Sequence, residues 1–204
     1  YGITAMDAIT TGDNNTAIGH GALGANTTGT NNTGLGQGAL DASSTSSDNT
    51  AIGRCALTTS TASNNTAVGA YSLRDNTTGS NNVAFGISAL KENTEGDNNT
   101  SIGNSSLCNN TTADNNTALG NSAMKLNTTG ASNTAVGKDA LYANTTANNN
   151  TAIGVCAMIA TTTGANNTAV GFSALDTNTT GCENVAVGRD TLFSNTSGER
   201  NVAL

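Results

Sequence analysis

A glycine returns along this chain at residues 2, 19, 36, 53, 69, 86, 103, 120, 137, 154, 171 and 188. Every interval is 17 residues except Gly53 to Gly69, which is 16. A fixed period of this length marks a repeat architecture, in which each unit buries its face only against its neighbours. The unit reads N-N-T-A-V-G-x-x-A-L-x-x-N-T-T-G-x, and twelve of them fill the chain from end to end. No linker or second domain interrupts them, so residues 1–204 are read as a single solenoid repeat domain. The chain starts inside a unit, at Tyr1-Gly2, and stops on Leu204, one residue before the next expected glycine. It is therefore expected to be an excerpt of a longer fibre.

Asn, Thr and Gly, which all disfavour helix interiors, dominate the unit: the chain has 36 Thr, 32 Asn and 24 Gly. Its apolar signal comes in two short pieces, A-V (Ala67-Val68, Ala135-Val136) and A-L (Ala89-Leu90, Ala140-Leu141). Two short strands joined by polar turns predict an all-β fold, a parallel β-solenoid (β-roll) of about twelve 17-residue coils. Coils stacked at about 4.8 Å give a rod roughly 55–60 Å long.

Successive strand side chains point to opposite faces. Turning the larger residue of each piece inward predicts two aliphatic core columns. One is Ile18, Leu35, Ile52, Val68, Phe85, Ile102, Leu119, Val136, Ile153, Val170 and Val187. The other is Leu23, Leu40, Leu57, Leu73, Leu90, Leu107, Met124, Leu141, Met158, Leu175 and Leu192. The neighbouring alanines would then form an outward stripe, suited either to close approach of another chain or to a tight bend.

An asparagine stands at one place in all twelve units: Asn15, Asn32, Asn49, Asn65, Asn82, Asn99, Asn116, Asn133, Asn150, Asn167, Asn184 and Asn201. Stacked amides can bond up and down such a column as a structural ladder. The glycine four residues later is expected to take a positive φ or to admit close backbone contact. A second asparagine opens N-T-T or N-T-S at Asn26, Asn76, Asn127, Asn144, Asn178 and Asn195. Each is a formal N-glycosylation acceptor, and each also fits a polar turn whose side chain bonds its own backbone.

Several function classes drop out on composition. Lys plus Arg is 7 against Asp plus Glu 14, which leaves no basic patch for nucleic acid. No apolar run reaches the ~18 residues of a membrane-spanning helix. The lone histidine, His20, shares its repeat position with Gln37, Arg54, Ala70, Ile87, Asn104 and Lys138, as an exposed site would. Acidic residues such as Asp13, Asp48, Glu95, Asp97 and Asp114 do not recur with a calcium-loop pattern. The expectation is a non-enzyme with no catalytic residue, cofactor or metal. Cys55 and Cys156 share a repeat position six coils apart, roughly 29 Å at solenoid spacing and far beyond disulfide reach. Cys108 and Cys182 stand at two other positions, so no intrachain disulfide framework follows.

The N-T-A-V-G-x-x-A-L unit resembles the head repeats of trimeric autotransporter adhesins, and more closely the N-T-A-V-G…A-L…N-T-T-G arrays of bacteriophage tail-fibre-like proteins. The period here is longer than in the adhesin heads by the N-T-T-G loop. The resemblance implies a homo-oligomer, a trimer by analogy, in an extracellular, cell-surface or virion fibre used for attachment or display. A cell-surface receptor or glycan is the implied partner. Two other classes stay open. One is a self-assembling, end-to-end extracellular filament. The other is an ice-binding solenoid, for which Thr27, Thr77, Thr94, Thr111, Thr128, Thr145 and Thr179 form a threonine column.

Overall fold

The computed structural model describes residues 2–204. Its strands are β1 (Thr16–Ile18), β2 (Thr33–Leu35), β3 (Thr50–Ile52), β4 (Thr66–Val68), β5 (Val83–Phe85), β6 (Thr100–Ile102), β7 (Thr117–Leu119), β8 (Thr134–Val136), β9 (Thr151–Ile153), β10 (Thr168–Val170), β11 (Val185–Val187) and β12 (Val202–Ala203). They form one parallel twelve-stranded sheet in sequence order. Each strand pairs residue for residue with its equivalent one repeat on, as Thr134 with Thr151 and Val136 with Ile153. The chain is thus an all-β solenoid of about eleven turns. The 16-residue coil keeps register, since Thr50 still pairs with Thr66. Its missing residue is the second Thr of N-T-T-G. Thr61 donates to Thr77 O and Ala62 O accepts from Asn49, as the first Thr and the Gly do in other coils.

The strand faces are the reverse of the expected phasing. The middle alanine points inward: Ala51, Ala67, Ala84, Ala118, Ala135, Ala152, Ala169 and Ala186 are fully buried. The large residue beside it points outward, with Ile18, Leu35, Phe85, Ile102, Leu119, Ile153 and Val187 between 37 and 56% exposed. The second column is inward as expected, Leu23 through Leu175 having no accessible surface. The reason is room. A β-carbon placed on Gly34, at the alanine position, would lie 3.4 Å from Leu23 Cγ. The leucine file already fills the narrow interior, so the strand facing it offers only a small side chain: alanine in most coils, and in one coil Ser101, fully buried with its hydroxyl donating to Ser106 O. The expected outward alanine stripe is therefore absent, and an aliphatic file takes its place on the surface.

Only one strand forms per coil. The A-L piece lies in a turn, and Leu73, Leu90, Leu107 and Leu141 take left-handed φ values between 46° and 52°. Leucine pays for that conformation, which glycine and asparagine visit more easily. Stacking offsets the cost: Leu73 N–H donates to Ala89 O and Leu90 N–H to Ser106 O in the next coil. Each leucine side chain also becomes fully buried, worth about 2 kcal/mol. The turn closes locally as well, for Asn76 N–H reaches Leu73 O.

The recurrent glycine meets both sequence expectations at once. Gly103 has φ +134°, and a β-carbon there would stand 2.4 Å from Gly120 O. No L side chain fits.

Candidate functional site: two amide columns and an uncharged strand face

The interior behind the N-T-T-G loop is polar, and all but a few of its buried polar atoms are hydrogen-bonded. In the column of Asn15 to Asn201, each side chain except the last reaches forward one coil. Asn82 Nδ2 donates to Gly96 O at 2.8 Å, and Asn82 Oδ1 accepts Asn99 N–H at 2.9 Å. The same pair of bonds recurs at Asn32, Asn49, Asn65, Asn99, Asn116, Asn133, Asn150, Asn167 and Asn184. Asn15 bonds alike at the first coil, and Asn201 donates to Asn184 Oδ1 at the last.

The amide-to-amide ladder lies mainly in the other column. Asn93, Asn110, Asn127 and Asn144 donate to the amide oxygen one coil back at 2.6 to 2.8 Å. Each also closes its own loop on the carbonyl three residues on, as Asn127 does on Gly130 O at 2.9 Å. Both columns converge on that carbonyl, Gly130 O also accepting from Asn116. Polar groups taken from water are tolerable because nearly every one is paired.

This placement bears on the sequons. Asn26, Asn76, Asn127, Asn144 and Asn178 have no accessible surface, and Asn195 is half-buried. A glycan on the first five would have to leave through the coil wall. The folded chain therefore uses these asparagines as internal pins.

The ladder fails where its residue type changes. Ser43 turns to Ser46 rather than to Asn26, whose Oδ1 is left without a donor. Thr161 interrupts the run between Asn144 and Asn178, and both Asn144 Oδ1 and Thr161 Oγ1 are buried without a partner.

Three surfaces face outward. On the first, the strand face, a threonine file from Thr16 to Thr168, broken by Val83 and continued by Val185 and Val202, runs beside the aliphatic file Ile18 to Val187; neither file carries a charge. On the second, the loop edge, Thr77, Thr94, Thr111, Thr128, Thr145 and Thr179 turn their hydroxyls onto the carbonyl one coil ahead at 2.7 to 3.2 Å. The third, the turn face, carries six of the chain's seven cations: Arg54, Arg74, Lys91, Lys125, Lys138 and Arg189. Four of these pair with the adjacent acid, as Arg74 does with Asp75 at 2.6 Å. Exposed pairs of this kind add little stability.

His20 is exposed on that turn face. Among the described residues, no group of three or more His, Cys, Asp and Glu could hold a metal ion, and no helix is long and apolar enough to cross a membrane. Cys55, Cys108, Cys156 and Cys182 are free thiols and partly covered. Burial pushes the Cys108 thiol up, helped by Glu92, and burial with Asp139 and Asp176 does the same to Cys156.

The sequence signal for the outward aliphatic file was present in its size variation, from Val68 to Phe85, which a tight interior would not accept. No family model matches the chain, and no curated protein or solved structure matches it.

Proposed function

We propose that this chain is a non-catalytic rod segment of an extracellular or virion surface fibre, serving attachment or display, and that it works as a homo-oligomer, three chains side by side. The observation that carries the reading is the strand face. A continuous file of Ile, Leu, Val and Phe stands 37 to 56% exposed at seven positions, over a face without one charge. Large exposed apolar stripes mark interaction surfaces. A parallel association of identical chains lays each file against its own equivalents, coil for coil. The resemblance to trimeric adhesin heads and tail-fibre arrays supplies the number three and the role in attachment.

Light scattering on the purified chain tests this directly. Chains of 20.1 kDa are expected to run at about three times that mass. Ile102→Asp, which sets a carboxylate into the file, is expected to dissociate them while the β-rich circular dichroism persists. A monomer mass for the unaltered chain overturns the oligomer.

A further inference from the structure

The turn face is not uniform along the rod. Between the file of residues that follow the invariant glycine and the file that follows the buried leucine runs a shallow furrow. After β4 the furrow is occupied: Tyr71 lies in it, with Arg54 4.5 Å and Arg74 6.0 Å from the ring centroid. After β7 and β8 the position of Tyr71 is taken by Ser122 and Asp139, and the furrow opens into a groove of about 450 Å³. One wall is Asn121 and Lys138; the other is Lys125, Tyr142 and Ile159.

We propose that this groove binds an acidic saccharide, one uronic-acid residue of a polyanionic polysaccharide. The chemistry of the walls selects it. Lys125 takes part in none of the five ion pairs among the described residues, although the other two cations of its file, Arg74 and Lys91, each have an acid beside them. Position 126, where that acid would stand, is Leu126. Lys138 sits 3.2 Å from Asp139 with its side chain 64% exposed, so it can turn to a second carboxylate. Two ammonium groups against one carboxylate leave the groove locally positive on a chain of net charge −7. A sugar carboxylate between Lys125 and Lys138 gains charge-assisted hydrogen bonds. The Tyr142 ring and Ile159 supply an apolar wall for the C–H face of a pyranose. Asp139 accepts from sugar hydroxyls, and the Asn121 amide and Ser122 hydroxyl can both donate and accept. A lone inorganic anion would use the lysines and leave the remaining groove empty. An acidic peptide would find no sheet edge there, since β7 and β8 are paired on both sides.

The proposal gives the attachment reading its ligand and rests on that reading for its biological sense, while its test is independent of oligomer mass. The probe is a trimer of galacturonic acid, titrated into the full chain and followed by calorimetry and by backbone amide shifts. Binding with Kd on the order of 1 mM is expected, with shifts centred on residues 121–125 and 138–142 and weakening as salt rises. Lys125→Ala and Tyr142→Ala are each expected to weaken it at least tenfold at an unchanged melting temperature, with Lys125→Arg retaining most of it. Three results overturn the proposal: no binding of the uronate, equal binding of inorganic sulfate or of a triglutamate peptide, or shifts elsewhere on the rod. Any of them leaves the rod and its light-scattering test untouched.

Discussion

Replacing Thr161 with Asn should make the protein more stable. At this position the inner ladder loses one rung: Asn144 Oδ1 and Thr161 Oγ1 are both buried and both unpaired. An asparagine here would donate to Asn144 Oδ1, as Asn144 itself donates to Asn127 at 2.6 Å. It would also reach Gly164 O, as Asn178 reaches Gly181 O at 3.0 Å. Its own oxygen would face Asn178 Nδ2, which at present bonds only that carbonyl. Each buried orphan costs about 1–3 kcal/mol. Curing two, less the entropy of ordering one amide, gives a gain of about 2 kcal/mol. For a chain of this length that is roughly 4–8 °C in melting temperature. Stacked coils couple chiefly to their nearest neighbours, so the gain should also appear locally, as slower hydrogen exchange at Asn144 and Asn178. The mirror variant, Asn127→Thr, opens the same gap in an intact stretch and should lose a similar amount. A Thr161→Asn melting temperature equal to or below the parent's would refute the reasoning and mean that the gap is already served, for instance by a bound water.

Leu90→Ala should cost about 2–5 kcal/mol, because it opens a cavity in a file with no accessible surface; an unchanged denaturant midpoint would count against that core. Gly103→Ala should prevent coils from stacking about that residue, since the backbone has φ +134° and Gly120 O blocks the methyl group. A variant that keeps the parent's circular dichroism and melting point would contradict this. The Cys108 thiol is held above its ordinary range by burial, so the folded state keeps a proton that the unfolded state releases first. Its contribution is full below the unfolded thiol range and fades as pH rises from about 8.5 through the folded value. The parent's melting temperature should therefore fall relative to that of Cys108→Ser between pH 7 and 10, and iodoacetamide should label Cys108 more slowly than a free thiol.

The period was the legible part. It announced a parallel solenoid, the number of coils, the inward leucine file and the demand on the glycine. The face of the strand was not legible, because T-A-V alternates in two phases and the larger residue is by habit assigned to the core. What decides the phase is the width of the coil, which depends on the leucine across from it and on two asparagines that no hydropathy pattern reports. The A-L piece misled for a related reason. Its left-handed leucines look like strand residues by composition, and only coil-to-coil hydrogen bonds make that backbone affordable. The amide columns were visible as repeated letters. The direction of their bonds was not, and so Asn127 could be read as a glycan acceptor when its amide is spent on Asn110 and Gly130. The groove at Lys125 was hidden because Ser122 is ordinary for its repeat position, as Ser88 and Ser105 show, and what sets the groove apart is the conjunction of Lys125, Lys138, Tyr142 and Ile159 at positions that vary from coil to coil.

A stack held by polar columns should tolerate a lost residue at one place and nowhere near it. The coil from Thr50 to Asn65 shows which place: it lacks the second Thr of the loop and still keeps both asparagine bonds on either side. Deleting one residue of the Thr111-Thr112 pair should reproduce that coil three turns further on. Thr112 is exposed, and no bond of the ladders passes through it. The expected loss is about 1 kcal/mol, within the range of an altered surface loop. Deleting Thr117 instead shortens β7 by one residue and shifts Ala118 and Leu119 against β8. A slip of one residue exchanges the two faces of a strand. The buried alanine would then stand in solvent and leucine would press on the already filled interior, so this variant should lose the cooperative melt of the coils around it. Equal melting temperatures for the two deletions would show that the columns do not set the register.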